Sequence, residues 1–560
     1  MSVLRTGGQV LVDGLRAQGV DLVFGVPGES YLAVLDALHG TGGAIRFVSA
    51  RQEGAASMMA EAYGKLTGRP GVCLVTRAPG TTNSSSGLHV AFQDSTPMVL
   101  LIGQVGRGMV DREAFQEVDY RRFLPQLCKW VTQVDDAARL PELLQQAFWT
   151  ARSGRPGPVA LALPEDMLTD VVSCADAPHA EAAQAYPGRE QLERLRGMLA
   201  GAQRPLVLVG GGTWTPQAAA DMRAFAEASN VPVMASFRCQ DIVDNRLDVY
   251  VGDSGIGINP RLAQRYREAD LLLVAGARLG ESTTSGYELV DIPLPQLPLV
   301  HAYPGPEELG RTYFPTLPIV SGMPQLAAGL RALEPVDGSR FAGWTAGARA
   351  DFVANREPPP PAGNGVDMTE VVRHLSSVLP DDAVITNGAG NYTVWLHRFY
   401  TYRDYRTQLA PTSGSMGYGL PAAIAAKLAA PEREVVCVAG DGCLMMVVAE
   451  LSTAVQEGAA IVVIVANNGI YGTIRMHQER HYPGRVSGTD LVNPDFVALA
   501  RAFGCQAELV ERTEDFAGAL ERARAASVPA LIELHCDPEA LTPRATLSAI
   551  REQALTAQRG

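Results

Sequence analysis

Short apolar runs alternate with Ala-rich stretches of helical periodicity along almost the whole chain. Residues 206–209 (LVLV), 271–274 (LLLV) and 435–438 (VVCV) have strand length and no polar face. Such runs suit strands buried on both sides. Strands alternating with helices predict βαβ units and mostly parallel sheets. Two segments break the rhythm. Residues 171–190 include CADAPHAEAAQAYPG, rich in Ala and Pro, and residues 356–365 read REPPPPAGNG. A proline run cannot be helix interior or central strand. The expectation is an α/β protein of three doubly wound parallel-sheet domains, 1–170, 190–340 and 365–540, followed by a tail, 541–560. No short internal repeat is present.

Composition narrows the class. The chain has 560 residues, enough for about three to four domains of ordinary size. A hydrophobic content of 47% with 19% charged residues fits a packed globular protein. The net charge is −13 without a long Lys/Arg cluster, so no nucleic-acid partner is expected. The first twenty residues lack the layout of a signal peptide, and the longest apolar runs, such as 461–466, are too short to span a bilayer. No membrane association is expected. The eight cysteines form no CxxC pair and several sit in apolar runs, which suits a reducing cytoplasm.

The most informative unit lies near the C-terminus. EVVCVAG reads as a strand ending at Gly440, Asp441-Gly442 as the turn, and 443–457 as one helix with Gly458 just beyond it. AAIVVIVA is a second strand, ending at Asn467-Asn468. If the two strands are parallel neighbours, Asp441 and Asn468 emerge at the same sheet edge although 27 positions apart in sequence. Ligands bind at such carboxyl edges. A carboxylate and an amide oxygen are hard ligands suited to Mg²⁺, and a helix N-terminus suits phosphate. A lone GDG also fits an ordinary βα turn, so spacing must decide.

GDGCLMMVVAELSTAVQEGAAIVVIVANN resembles the signature of thiamine diphosphate enzymes, GDG followed about 25 to 30 residues later by NN. Further strings carry the resemblance: SARQEGAASMMAEAYGKLTG (49–68), GVCLVTRAPGTTN (71–83), AFQE (114–117), GAGNYTVW (388–395) and SGSMGYGLPAA (413–423). FGVPGE (24–29), AFQEVD, CKW (128–130) and YGLPAA make the acetolactate synthase-like branch the nearest. The resemblance implies a pyrimidine-binding, a central Rossmann-like and a diphosphate-binding domain. It implies that Asp441, Asn468 and the carbonyl of Ile470 hold a metal, Mg²⁺. Glu53 would bond the cofactor's pyrimidine nitrogen and activate the cofactor, and Gln116 would act beside it. Asn83, Gly390, Asn391, Gly414, Met416, Gly440, Gly442, Cys443 and Gly472 would complete the cofactor site. The substrate pocket would comprise Glu29, Ser30, Phe115, Lys129, Thr473 and His477. A homodimer would be the minimum functional unit, with a homotetramer common.

Three positions depart from acetolactate synthase. Its GxRFDDR string, whose second Arg grips the acceptor carboxylate, is here GARLGES, placing Ser282 at that Arg. Ser cannot replace a bidentate Arg fork. His477 stands where the synthases carry Trp, and Glu29 and Ser30 stand where they carry small apolar residues. FAD, bound by true synthases, is disfavoured: PLVLVGGGTW (205–214) is not GxGxxG, and the HIDID-type string reads HAYPG (301–305), although Arg278 matches an FAD-contacting Arg. The resulting expectation is an enzyme that makes or breaks a C–C bond next to a carbonyl, as 2-oxo acid decarboxylase, aldehyde lyase or carboligase. Its partners would be a 2-oxo acid, aldehyde or 2-hydroxy ketone. The rivals are a true acetolactate synthase, a non-catalytic cofactor-binding paralogue and, remotely, a nicotinamide dehydrogenase.

Overall fold

A computed structural model describes residues 4–559. The chain divides into two compact units, one running to Gln184 and including Ile424–Ala429, the other formed by Ala185–Ala423 and the residues from Ala430 onward. The first contains β1 (Arg5–Thr6), β2 (Leu22–Gly25), β3 (Arg46–Ser49), β4 (Gly71–Val75), β5 (Met98–Gln104), β6 (Trp130–Gln133), β7 (Pro158–Pro164) and β8 (Val171–Val172). Six of these form a sheet in the order β3-β2-β4-β5-β7-β6, every neighbouring pair parallel. β1 and β8 pair separately and antiparallel. β4, β5 and β7 are buried at every position, as strands covered by helices on both faces must be.

The second unit holds two more sheets. One comprises β9 (Pro205–Val209), β10 (Val233–Ser236), β11 (Tyr250–Ser254), β12 (Leu271–Ala275), β13 (Leu299–Tyr303) and β14 (Leu317–Val320), in the order β11-β10-β9-β12-β13-β14. The other comprises β15 (Val384–Asn387), β16 (Gln408–Leu409), β17 (Val435–Gly440), β18 (Val462–Asn467), β19 (Gln506–Val510) and β20 (Ala530–His535), in the order β16-β15-β17-β18-β20-β19. Both are wholly parallel. In each of the three six-stranded sheets the chain adds strands first on one side and then on the other, so each has a point where the order reverses. Residues 173–188 and 356–367, which cover most of both predicted linkers, contain no helix or strand. No helix among the described residues is long and apolar enough to cross a membrane.

One predicted element is corrected. Residues 443–457 are not a single helix: Asp441–Met445 and Glu450–Gln456 are separate helices. Tight bonds from Val447 N to Leu444 O and from Glu450 N to Val447 O replace the α-helical ladder between them. Two consecutive β-branched residues, Val447 and Val448, crowd the preceding turn and favour the break there. Gly458 lies beyond the second helix at φ +67°, as its position implied.

Asp241 ties β16 to the turn after β10. Its buried Oδ2 accepts the amides of Thr407 (3.0 Å) and Gln408 (3.2 Å). Burial pushes this carboxyl up to about 6, against the pull of the backbone donors. The folded state therefore holds the proton more tightly than an unfolded chain, whose Asp titrates near ~3.9. Its contribution is complete below that value and is lost as pH rises through about 6. Chemical denaturation from about pH 4.5 to 7 is expected to show the wild type losing up to ~2 kcal/mol relative to Asp241→Asn. Parallel stability curves would refute this assignment.

Candidate functional site

The order of the third sheet reverses between β15 and β17, and ligands in open parallel sheets bind beyond the carboxyl ends at such points. β17 and β18 are parallel neighbours with Gly440 opposite Ala466, so Asp441 and Asn468 leave adjacent strands at one edge. Asp441 is buried. Its Oδ1 accepts Gly442 N (2.7 Å), and its Oδ2 accepts Gly469 N (2.9 Å) and Asn493 Nδ2 (2.8 Å). Burial raises the Asp441 pKa, while these donors pull the other way. A buried carboxylate held by neutral donors alone lacks a positive partner, a role that a divalent cation could fill. Asn468 Oδ1 accepts Ile470 N at 3.3 Å.

A cavity of about 260 Å³ opens over this edge. Gly390, Asn391, Gly414, Met416, Gly440, Asp441, Gly442, Cys443, Asn468, Ile470, Gly472 and Thr473 all line it. The structure thus brings together every site residue that the sequence assigned to this unit except His477. Gly390 sits at φ +150°, and a Cβ there would lie 2.7 Å from the Tyr392 ring. Tyr392 donates to Cys443 Sγ (3.4 Å) and accepts from Gly388 N (3.1 Å), which fixes the floor beside Gly440. Thr473 Oγ1 donates to Asn391 Oδ1 (2.9 Å) and joins the two sides of the cavity. His477 lies one turn further along the helix Gly472–His481, exposed and parallel to the His481 ring at 6.2 Å.

Two supporting residues escaped the sequence reading. Asn493 bonds both Asp441 and Asn467 Oδ1 (2.9 Å) from an irregular segment with no periodic signal. Glu533 accepts from Asn467 Nδ2 (2.7 Å). An acid inside the apolar strand ALIELH was the available clue, because buried acids need partners. The tail also contributes. Leu541 lines the cavity and packs with Ile470 and Leu547, with Met476 against them. The helix Leu547–Arg559 is pinned by Arg551, whose Nε donates to the buried Glu479 at 2.8 Å.

In the first unit the strand order reverses between β2 and β4. Glu29 and Ser30 follow β2, Glu53 follows β3, Phe115 and Gln116 lie in the long loop after β5, and the helix carrying Asn83 follows β4. All stand at the carboxyl edge. Glu53 opens the helix Glu53–Thr67, which Gln52 caps by accepting Ala55 N and which ends on Gly68 at φ +73°. Asn83 Nδ2 donates to Glu53 Oε2 at 2.9 Å. Ser30 and Thr76 share a hydroxyl bond of 2.9 Å. Lys129 is placed elsewhere. It precedes β6, so it lies at the amino edge of the same parallel sheet. Its ammonium binds the carbonyls of Thr150 and Ser153 (2.6 Å for the latter) at the end of the helix Leu140–Arg152. That is favourable helix capping, and it sets Lys129 at the edge opposite the one that carries Glu29, Glu53 and Gln116.

Comparison with known families matches residues 5–123 to the N-terminal TPP binding domain of thiamine pyrophosphate enzymes, 192–331 to their central domain and 388–534 to their C-terminal TPP binding domain. Among curated proteins, the acetolactate synthase large subunit of Corynebacterium glutamicum is 32% identical over 535 residues, 93% of this chain and 84% of that protein. The acetolactate synthase isozyme 2 large subunit of Escherichia coli K12 is 31% identical over 543 residues, 95% of each chain. With three parallel sheets in the matching order, and a cavity where the second of these TPP binding domains carries its GDG and NN strings, the chain belongs to the thiamine pyrophosphate enzymes and is a thiamine diphosphate-dependent, acetolactate synthase-like enzyme.

Proposed function

We propose that this enzyme breaks or makes a C–C bond next to the carbonyl of a 2-oxo acid, aldehyde or 2-hydroxy ketone, and that it is not tuned to a 2-oxo acid acceptor. The observation that carries the first part is the single cavity joining Asp441, Asn468, Ile470 and Met416 at the switch point of the third sheet. Asp441, Asn468 and the Ile470 carbonyl hold Mg²⁺, Gly390, Asn391 and Gly472 bind the diphosphate, and Met416 and Gly414 support the rest of the cofactor. Bound thiamine diphosphate supplies a carbon nucleophile and an electron sink. Glu53, held by Asn83, accepts or donates a proton at its carboxylate. Gln116 and Phe115 orient the substrate beside it, with Glu29 and Ser30 at the same sheet edge, and Thr473 lines the cavity of the second unit. His477 is exposed, which supports a rim position.

Ser282 supports the second part. An acceptor carboxylate has no bidentate cation at that position, and a site built to pair a charge discriminates strongly against partners that leave it unpaired. Arg278, which matches an FAD contact, pairs instead with Glu308 at 3.3 Å. The loops after β9 and β12 also pack backbone to backbone, a Cβ on Gly211 falling 2.1 Å from Gly276 O. Both support a structural central domain without FAD. All eight cysteines are free, which supports a reducing cytoplasm. The resemblance supports a homodimer or homotetramer.

A screen of 2-oxo acids and 2-hydroxy ketones with the cofactor- and Mg²⁺-loaded protein tests this reading, following CO₂ and aldehyde release together. Turnover of at least one donor is expected, with little acetolactate from pyruvate by colorimetric assay. Efficient acetolactate formation would overturn the argument from Ser282.

A further inference from the structure

We propose that Arg77 is a positioning residue that fixes the loop carrying Phe115 and Gln116 at the carboxyl edge of the first sheet. The inference rests on the role given above to Gln116. Arg77 lies two residues beyond β4, at the reversal of strand order, and is only 7% exposed. Its guanidinium spans three other loops of that edge. Nη2 pairs with Glu165, which follows β7 directly. Nη1 donates to the Phe115 carbonyl at 3.5 Å in the loop after β5, and lies 3.7 Å from Glu29 Oε1 in the loop after β2. The neighbouring Ala78 N donates to the Gln116 carbonyl at 3.2 Å. Residues 77 and 78 thus hold two successive carbonyls of the candidate substrate loop.

The held segment needs holding. Gln116 has φ +64°, and Asp111 and Glu113 have φ +61° and +51°. Non-glycine residues in this left-handed region are disfavoured and persist where the surroundings impose them. Glu117 supplies one restraint, accepting Asp111 N (2.7 Å) and Ala114 N (2.9 Å). Arg77 supplies the other.

Two simpler roles fit less well. Arg77 is not a free anion receptor: the Glu165 and Glu29 carboxylates already exceed its single charge. It is also a poor device for stability. Its Nε–H is buried without a hydrogen-bond partner, and incompletely satisfied buried ion pairs give little net stabilisation. A planar fork that reaches several acceptors at once is what the geometry uses, and a Lys ammonium cannot span them.

The test uses Arg77→Lys, Arg77→Ala and Glu165→Gln in the cofactor- and Mg²⁺-loaded enzyme. It measures kcat and KM separately, cofactor affinity, thermal midpoint, and the rate of tryptic cleavage after Arg112, an exposed residue inside the loop. Arg77→Ala is expected to lower kcat about 100-fold, the scale of an ångström misplacement at a reacting centre. Cofactor affinity should stay near wild type, cleavage after Arg112 should accelerate, and Arg77→Lys should fail to rescue either effect. Glu165→Gln should move both readouts in the same direction by less, and it decides the question if Arg77→Ala does not fold. Unchanged kcat with unchanged cleavage, or full rescue by Lys, overturns the inference. If the wild type turns over no donor, the proposed function fails, while the cleavage rates still decide whether Arg77 holds the loop.

Discussion

Asp441→Ala is expected to abolish retention of thiamine diphosphate and lower turnover at least ~1000-fold at ordinary Mg²⁺, a loss of about 4 kcal/mol. Asp441 is the only carboxylate among the three proposed metal ligands, and Mg²⁺ binds through few protein ligands of which the charged one dominates. Asp441→Asn keeps one amide oxygen, for either the Gly442 donor or the Gly469 and Asn493 donors, and loses the charge. It should recover part of its activity at high Mg²⁺, which Asp441→Ala should not. A second readout separates ligation from structure. Burial raises the Asp441 pKa, so in the cofactor-free protein the carboxylate is a destabilising charge. Asp441→Asn removes that charge but leaves one set of donors without its acceptor, so the cofactor-free thermal midpoint should move little, while the increase in midpoint on adding cofactor and Mg²⁺ disappears. A variant that loses stability without ligand but still responds to cofactor and Mg²⁺ would count against metal ligation.

Glu53→Gln is expected to lower kcat by about 10²- to 10⁴-fold, the usual contribution of a positioned acid or base. Gln is isosteric and still accepts from Asn83 Nδ2, so the helix start and its cap at Gln52 stay intact. Cofactor affinity measured by titration should change only severalfold, because Glu53 is not a metal ligand in the proposed site. The pairing of large kcat loss with retained binding is the diagnostic result. Turnover unaffected by this substitution would remove Glu53 from the chemistry and favour the rival reading of a non-catalytic cofactor-binding paralogue.

These two residues were legible in the sequence for different reasons. Asp441 and Asn468 sit at the ends of consecutive apolar strands, and parallel pairing follows from the intervening helical stretch. Their meeting was a deduction from the period of the chain, and Gly440 opposite Ala466 bears it out. Glu53 stands out only through its surrounding string, since an acid at a helix start is ordinary. Lys129 misled because string matching ignores strand direction. The CKW run enters β6, so its Lys must fall at the amino edge, away from Glu53. The helix expected over 443–457 broke because its apolar pattern says nothing of the crowding at Val447-Val448.

Local patterns therefore determined the α/β class, the parallel strands, the interruptions near 180 and 360 and the meeting of Asp441 and Asn468 at one sheet edge, because periodicity and turn chemistry are written over a few neighbouring residues. Tertiary structure alone decided the supporting shell: Asn493 on Asp441, Glu533 behind Asn467, Arg551 on Glu479, and Arg77 across four loops. Those contacts join residues far apart in sequence: 52 positions for Asn493 to Asp441, 66 for Asn467 to Glu533, 72 for Glu479 to Arg551 and 88 for Arg77 to Glu165. No local rule specifies such pairs, because a buried charge or amide is satisfied by whatever the fold brings within about 3 Å.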